Sequence, residues 1–232
     1  AYVTEDAVVK AGILTGHSEE GCEEFLNYLN ENNYSVTTVN IAAESIDDSM
    51  QTVFLLAPTT DYSAEELAKL DQFLDNQGNF GKTLIYLAAH DQPELPNLEA
   101  FLEEWGIRIG NGLIVEKDTK NIYDGQGFMF GAAFTEDAKA WLVNVKNPSL
   151  PFVGYYCRPV TSLWEEKNNR TAKTLIASPD TTVLYESKDG QTTIGADGAQ
   201  SYGLAVIGER IKYQGAEERT SQVVAFGSNS MF

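Results

Sequence analysis

The most constraining feature of the sequence is the alternation of short apolar stretches with longer amphipathic ones over its first hundred residues. Four stretches rich in apolar and β-branched residues predict buried strands, at Val8–Leu14, Val36–Ile41, Thr52–Leu56 and Thr83–Ala88. Strands joined through helices can lie parallel in one sheet, because the helix returns the chain to the edge where the previous strand began. A parallel sheet is therefore predicted for the first half of the chain.

Two amphipathic segments between these strands predict helices. The first helix is indicated by apolar residues spaced at i, i+3, i+4 and i+7, namely Cys22, Phe25, Leu26 and Leu29. The second begins at Ser63–Glu66, a capping box in which the Ser63 hydroxyl and the Glu66 carboxylate each bind a backbone amide of the other residue. Its apolar face is predicted to comprise Leu67, Leu70 and Leu74, and Gly78 is expected to end it.

A third helix completes the pattern and fixes the fold class. It is predicted to begin at Asn97 and to end at Gly106, and its apolar face comprises Leu98, Phe101, Leu102 and Trp105. The resulting order predicts an α/β fold of the flavodoxin-like or Rossmann-like type, with a mostly parallel sheet and helices on both faces. The first strand is expected to lie between the second and the third.

The pattern changes after Gly110 and predicts a more irregular second half. Leu113–Val115 is expected to be a strand, Ala138, Trp141, Leu142 and Val145 suggest a short helix, and Asp180–Ser201 resembles a hairpin. Short apolar stretches at Leu204–Ile207 and Val223–Phe226 predict strands that return to the main sheet. The chain is therefore divided into a core of residues 1–110, an irregular α+β insertion at 111–200, and returning strands at 201–232.

Composition excludes several classes of protein. The formal net charge of −18 opposes binding of DNA or of an anionic lipid surface, so no nucleic-acid partner is expected. No run of 18 apolar residues is present, as a membrane span would need. The two cysteines, Cys22 and Cys157, are too few for a disulfide scaffold or a cysteine-rich zinc site. One bridge between them stays open from the sequence.

Polar residues follow three of the predicted parallel strands, where open α/β sheets bind ligands. The candidate crevice is formed by Gly16, His17, Glu19, Thr59, His90 and Asp91. Both histidines of the chain lie in these loops, so a metal or acid–base site drawn from His17, Glu19, His90 and Asp91 is one hypothesis. The alternative is that these residues only begin helices, where a carboxylate favours the positive helix end.

Other features point away from catalysis. There is no G-x-S-x-G elbow, and neither cysteine sits at a strand-to-helix turn with a histidine placed nearby in sequence, so no catalytic residue is assigned. The turn Gly227–Ser230 could offer amides to an anion, but a simple turn is the favoured interpretation. The aromatic residues Tyr155, Tyr156 and Trp164 could line a sugar or partner surface, although aromatic residues near prolines more often anchor a loop.

Several motifs in order resemble one known family. The segment Ile13–Glu19, with its strand followed by G-H-x-E, resembles the opening of the extracytoplasmic domain of gliding-motility-type ABC transporter auxiliary proteins. Further motifs continue the resemblance, namely Phe54–Pro58, Ser63–Glu66, Phe73–Gly78, Leu102–Ile107 and Val223–Ser230. The resemblance covers the first 110 residues and the last 30, and it is weak between them.

The resemblance implies a non-catalytic domain outside the cytoplasmic membrane, within a longer, membrane-anchored protein. The implied core is similar to the class I glutamine-amidotransferase-like fold, and the implied partners are the permease and associated membrane subunits of an ABC transporter. A binding or assembly role is therefore the leading hypothesis, with a small ligand in the crevice as an open option. The alternatives are a hydrolase or amidotransferase-like enzyme and a carbohydrate- or peptidoglycan-binding domain. No cofactor and no metal is expected.

Overall fold

The computed structural model describes residues 9–19, 22–32, 34–140, 152–188 and 191–230. The helices within these residues are α1 (Cys22–Glu31), α2 (Ala64–Asp75) and α3 (Pro96–Glu104), with short 3-10 turns at Asn76–Gly78 and Asp137–Ala140. The strands are β1 (Val9–Thr15), β2 (Tyr34–Asn40), β3 (Thr52–Leu56), β4 (Thr83–Leu87), β5 (Ile107–Ile109), β6 (Leu113–Glu116), β7 (Met129–Phe134), β8 (Phe152–Tyr155), β9 (Val160–Ser162), β10 (Glu166–Lys167), β11 (Arg170–Ala177), β12 (Thr182–Lys188), β13 (Gln191–Ile194), β14 (Gly203–Gln214) and β15 (Glu217–Phe226).

One large sheet organises the molecule, with strand order β2-β1-β3-β4-β15-β14-β11-β7-β8 and β10 paired to β11. The first five strands in this order are parallel to one another. The remaining pairings are antiparallel. The four strands predicted from the first half are therefore parallel neighbours, and β1 lies between β2 and β3, as the sequence predicted.

The prediction of a mostly parallel sheet is wrong for the whole molecule, because most of its pairings are antiparallel. The reason lies in the connections. β14 and β15 are joined directly by a tight turn at Gly215 and Ala216, and a connection this short can only reverse the chain. Outside the main sheet, β12 pairs with β13 and β6, and β5 pairs with β9. The fold is a mixed α/β architecture with a large central sheet and three α-helices in the described residues.

Helices cover both faces of the parallel strands. On one face Phe25, Leu26 and Leu29 of α1 pack with Ile13, Phe54 and Leu56. On the other face α2 and α3 pack their apolar residues against Leu14, Val53, Leu55 and Leu84. Consecutive residues of β3 alternate between these two cores, since side chains alternate across a strand. Leu70, Leu74 and Trp105 are no more than 1% exposed and Phe101 is 8% exposed, which confirms the predicted helix faces.

The predicted helix boundaries are confirmed in part. The Ser63–Glu66 capping box is present in full. The prediction that Gly78 ends α2 is wrong: the helix ends at Asp75, Asn76 adopts the left-handed conformation with φ of 49°, and Gly78 lies in the following 3-10 turn. Trp141, Leu142 and Val145 of the proposed short helix lie outside the described residues.

The second half adds strands to the same sheet and a second core. Its buried cluster includes Ile114, Phe130, Cys157, Ile176 and Leu204. The predicted hairpin within Asp180–Ser201 is β12–β13, and its tip, Asp189–Gly190, lies outside the described residues. In the described part of the chain, no helix has the length and apolar character required to cross a membrane.

Candidate binding site at the carboxyl edge of the parallel strands

The loop after β1 folds around the carboxylate of its own Glu19. The backbone amide of Gly16 donates to Glu19 Oε2 at 3.1 Å, and the amide of His17 donates to both carboxylate oxygens at 3.0 and 3.1 Å. Gly16 has φ of 123°, a conformation that L side chains rarely adopt. The amides of Gly16 and His17 are therefore bound to a carboxylate of the chain itself, where they cannot also bind an external anion.

His17 is buried between the loop and the start of α2. Its ring stacks on Tyr62 with centroids 3.8 Å apart, and its Nε2 lies 3.1 Å from Glu66 Oε1. Because a carboxylate oxygen only accepts, Nε2 carries the proton of this hydrogen bond. The other ring nitrogen, Nδ1, is buried without a hydrogen-bond partner. The imidazole is thus fixed by two neighbours and is only 6% exposed as a residue.

Glu66 has two tasks, since it closes the capping box of α2 and binds His17. Its Oε2 accepts from the Ser63 amide at 2.7 Å and from the Ser63 hydroxyl at 2.6 Å, while Oε1 faces His17. Burial opposes ionisation of the carboxyl group, but the hydrogen bonds from Ser63 and the nearby His17 outweigh it and hold the pKa of Glu66 below its ordinary value of 4.5. Burial and the Glu19 carboxylate together raise the pKa of Tyr62.

The loop after β3 lies against the loop after β1. The amides of Thr59 and Thr60 donate to the carbonyl oxygen of His17 at 2.9 and 3.2 Å, and the Thr59 hydroxyl donates to the Ser18 carbonyl at 3.3 Å. Gly16, His17, Glu19 and Thr59 therefore form one cluster, as expected for neighbouring parallel strands. Within this cluster the His17 side chain is buried, whereas the Thr59 side chain is exposed on the surface.

Asp61 supplies a third carboxylate to this edge of the sheet. Its side chain accepts from the amides of Asn97 and Leu98 at 2.9 and 3.1 Å. These amides belong to the first turn of α3, whose own N-cap residue, Leu95, makes no side-chain hydrogen bond. A carboxylate at a helix N-terminus satisfies unpaired amides and complements the helix dipole. Asp61 thus caps a helix more than thirty residues away.

His90 and Asp91 lie at the same edge but make a separate set of contacts. His90 Nδ1 is 3.8 Å from Asp91 Oδ1, and its ring lies 4.9 Å from that of Tyr156. Within the described residues, no hydrogen bond, ion pair or ring contact joins them to His17 or Glu19. The link between the loops is Gln92, whose amide nitrogen donates to the Pro58 carbonyl at 2.7 Å and whose oxygen accepts from the Tyr86 hydroxyl at 2.8 Å.

The chemistry available at this edge is limited. Among the described residues, no three His, Cys, Asp or Glu side chains converge as metal ligands would. Cys157 carries a free thiol, and burial raises its pKa to about 12, which keeps it protonated and a poor nucleophile. The turn at Gly227–Ser230 is packed: the Ser228 hydroxyl donates to the Tyr155 carbonyl at 2.6 Å and accepts from the Ser230 amide at 3.0 Å.

The three aromatic residues singled out in the sequence do not form one group. Tyr155 and Tyr156 contact each other, and Tyr156 stacks on Phe128 with centroids 5.1 Å apart. The described contacts of Trp164 instead involve Gly106 and Lys167.

Tyr62, Asp61 and Gln92 complete the site, and their contacts could not be read from the sequence. The sequence did indicate one role of Glu66, in the capping box of α2, but it did not indicate the hydrogen bond between Glu66 and His17.

Fold and site together define a mixed α/β domain. At the carboxyl ends of its parallel strands, backbone amides donate to carboxylates of the chain itself. Residues 9–123 match a family of auxiliary components of ABC-type transport systems, described as "ABC-type uncharacterized transport system". The resemblance predicted from the motifs is thereby confirmed over this segment.

Solved structures add a likeness in fold. The mmIFT52 N-terminal domain is similar with a TM-score of 0.62 and 14% identity, covering 96% of this chain and 87% of that one. A glutamine amidotransferase from Thermotoga maritima matches with a TM-score of 0.46 and 10% identity, covering 96% and 76%. No conclusion about activity follows from likenesses this distant. No curated protein matches the chain.

Proposed function

We propose that this chain is a non-catalytic binding or assembly domain of an ABC-type transport system. The observation that carries the proposal is that carboxylates of the chain itself bind the backbone amides at the carboxyl ends of the parallel strands. Glu19, Asp61 and Glu66 each accept from backbone amides that would otherwise be free to bind an anionic substrate or a developing oxyanion. A hydrolase or amidotransferase stabilises its developing oxyanion with such donors, which must be open toward the substrate.

The side chains at this edge also oppose a catalytic role. A general base needs access to the proton that it removes, but the His17 imidazole is stacked on Tyr62 and bound to Glu66. A nucleophile needs an activating base and exposure, but Cys157 is buried and its pKa is raised to about 12. The remaining histidine, His90, is paired with an exposed aspartate.

The same hydrogen bonds favour a binding surface. They fix the loops after β1 and β3 against each other, so a partner that docks on them orders little additional chain, which reduces the entropic cost of association. Thr59, Thr60, His90 and Asp91 are exposed along this edge. We therefore expect the partner to contact these outer side chains.

The family supplies the partner class for the proposal. Because residues 9–123 match a family of auxiliary components of ABC-type transport systems, the partners that we propose are the permease and its associated membrane subunits. We place the domain on the extracytoplasmic face of the membrane, within a membrane-anchored protein, and this placement follows from the resemblance of the motifs.

The proposal is tested by capture of the permease from solubilised native membranes with the full-length protein. Thr59→Arg places a bulky cation on the proposed surface, and Thr37→Arg makes the same change at an exposed position of β2. We expect Thr59→Arg to abolish capture and Thr37→Arg to preserve it. Failure of the wild-type protein to capture the permease, or equal capture by both variants, contradicts the proposal.

A screen for turnover separates this role from an enzyme. Hydrolase and amidase substrates are offered to the wild-type protein and to His17→Ala. We expect no turnover by either protein. Turnover by the wild type that His17→Ala abolishes overturns the non-catalytic assignment.

A further inference from the structure

A cleft of about 270 Å³ lies between the end of α3 and the hairpin β10–β11. None of its lining residues belongs to the candidate site described above. Its lining combines one aromatic side chain with charged and amide groups, namely Glu103, Glu104, Trp164, Lys167, Asn168 and Arg170. The volume lies just below the range of pockets that hold drug-sized ligands, roughly 300–1,000 Å³, so it suits a smaller ligand. Neither the family nor the carboxyl edge accounts for this cleft.

Trp164 is held in place as a rigid platform. The indole lies so close to Gly106 that a side chain there would meet Trp164 Cζ2 at 2.9 Å. Gly106 also has φ of 79°, and its carbonyl accepts from the Leu163 amide at 2.8 Å. The Lys167 ammonium lies 6.0 Å from the ring centroid, at the outer limit of a cation–π contact.

The hairpin presents hydrogen-bond donors beside the indole. Lys167 pairs with Arg170 across the turn, and both intervening residues, Asn168 and Asn169, have positive φ of 53° and 58°. Two such residues form the tight turn that suits the twist of a hairpin. Arg170 uses one donor on the Glu104 carbonyl at 2.5 Å, and a guanidinium has five donors. The turn thus holds an ammonium, an amide and a guanidinium at one side of the cleft.

The opposite side presents acceptors, and the charges of the lining balance. Glu103 Oε1 lies 2.8 Å from Arg108 Nε, and Glu104 Oε2 lies 4.0 Å from Arg210 Nη2. The lining as a whole holds two carboxylates, Glu103 and Glu104, and two cations, Lys167 and Arg170. The carboxylates would repel a simple anion, and Lys167 and Arg170 would repel a simple cation, so the lining favours neither. A neutral ligand that both donates and accepts hydrogen bonds fits the lining better.

We propose that this cleft binds a neutral saccharide. A sugar ring has an apolar face of C–H groups that can pack on the indole of Trp164, and its hydroxyl groups both donate and accept. The hydroxyl groups would donate to Glu103 and Glu104 and accept from Lys167, Asn168 and Arg170. The site is independent of the proposed assembly role, because it uses none of the residues at the carboxyl edge.

The proposal is tested by calorimetric titration of the protein with three neutral probes, cellotriose, maltotriose and triacetylchitotriose. We expect at least one of them to bind with a dissociation constant of about 1 mM or tighter, and Trp164→Ala to weaken that binding at least about tenfold. Lys167→Ala, at an exposed side chain, should weaken it as well without disturbing the fold. Tyr213→Ala removes an exposed aromatic side chain outside the cleft and should leave binding unchanged.

The outcomes separate the ligand classes. Absence of binding for all three saccharides overturns the proposal, and so does binding that both Trp164→Ala and Lys167→Ala leave unchanged. An acidic hexapeptide and inorganic phosphate are titrated in parallel, and preferential binding of either at this cleft refutes the neutral-ligand assignment. Thermal melting of each variant identifies a loss of binding that comes only from unfolding, in which case Lys167→Ala decides.

Discussion

Replacement of Glu66 by alanine should destabilise the protein far more than its place on the first turn of a helix would suggest. The carboxylate closes the capping box with Ser63 and also accepts from the buried His17. The substitution removes both contacts and leaves His17, with 6% exposure, without any hydrogen-bond partner on its ring.

The magnitude follows from the two contacts. Loss of a helix N-terminal cap costs about 0.5–2 kcal/mol of the free energy of unfolding. Leaving a buried polar group unpaired costs about 1–3 kcal/mol. Because both groups share one carboxylate, we expect a combined loss of about 2–4 kcal/mol, not a strict sum.

The assay is urea denaturation at pH 7, followed by circular dichroism, with Glu65→Ala as the matched control. Glu65 lies in the same first turn, is exposed, and shares the favourable charge at the helix N-terminus, which is typically worth about 0.3–1 kcal/mol. Equal losses for Glu65→Ala and Glu66→Ala would refute the reasoning, since they would leave only the helix dipole as the cause.

The pH dependence gives a second test of the same group. The pKa of Glu66 is lowered in the folded protein, so its contribution is fully present above the ordinary value of 4.5 and is lost as the pH falls through the folded pKa. Glu66→Gln keeps the capping box but removes the charge. The difference in free energy of unfolding between wild type and Glu66→Gln should therefore shrink below pH 4.5; a difference that stays constant down to pH 2 would contradict this.

Three further outcomes follow from two buried side chains and one partly buried carboxylate. Leu74→Ala should cost about 2–5 kcal/mol in urea denaturation, because Leu74 is 1% exposed in the core between α2 and the sheet; an unchanged midpoint contradicts this packing. Cys157 should resist alkylation by iodoacetamide at pH 8 in the native protein and react in urea, as mass spectrometry of its peptide would show; rapid native labelling contradicts its raised pKa. Asp124→Asn should destabilise the protein at pH 7 but not at pH 2, because hydrogen bonds from backbone amides, including those of Gln126 and Gly127, outweigh burial and lower the pKa of Asp124; an equal loss at both pH values contradicts this.

Local patterns predicted the first half of the molecule well. The capping box at Ser63–Glu66 and the apolar spacing of Leu70 and Leu74 each depend on residues within two turns of one another, and the structure contains both. The position of β1 between β2 and β3 followed from the right-handed crossovers that join parallel strands.

Most pairings of the second half could not be predicted from local patterns, because they join residues far apart in sequence. The exceptions, which the sequence did predict, are the hairpin β12–β13 and the return of β14 and β15 to the main sheet. β11 lies between β14 and β7, yet its burial does not alternate along the strand, so no period of two marks its faces. The same limit applies to the site. His17 and Glu66 are 49 positions apart, and only the three-dimensional fold shows that the cap of α2 also holds the histidine.

The strand β15 has a consequence for how the protein is made. It lies between β4 and β14, and Lys82 at the start of β4 donates to Ser221 of β15 across 139 positions. A ribosome adding about 5–20 residues per second needs roughly 7–28 s to synthesise that interval. Throughout this time the nascent parallel strands present the unpaired edge of β4, a surface on which other chains can pair. Slower translation would lengthen this exposure and increase aggregation of the nascent protein.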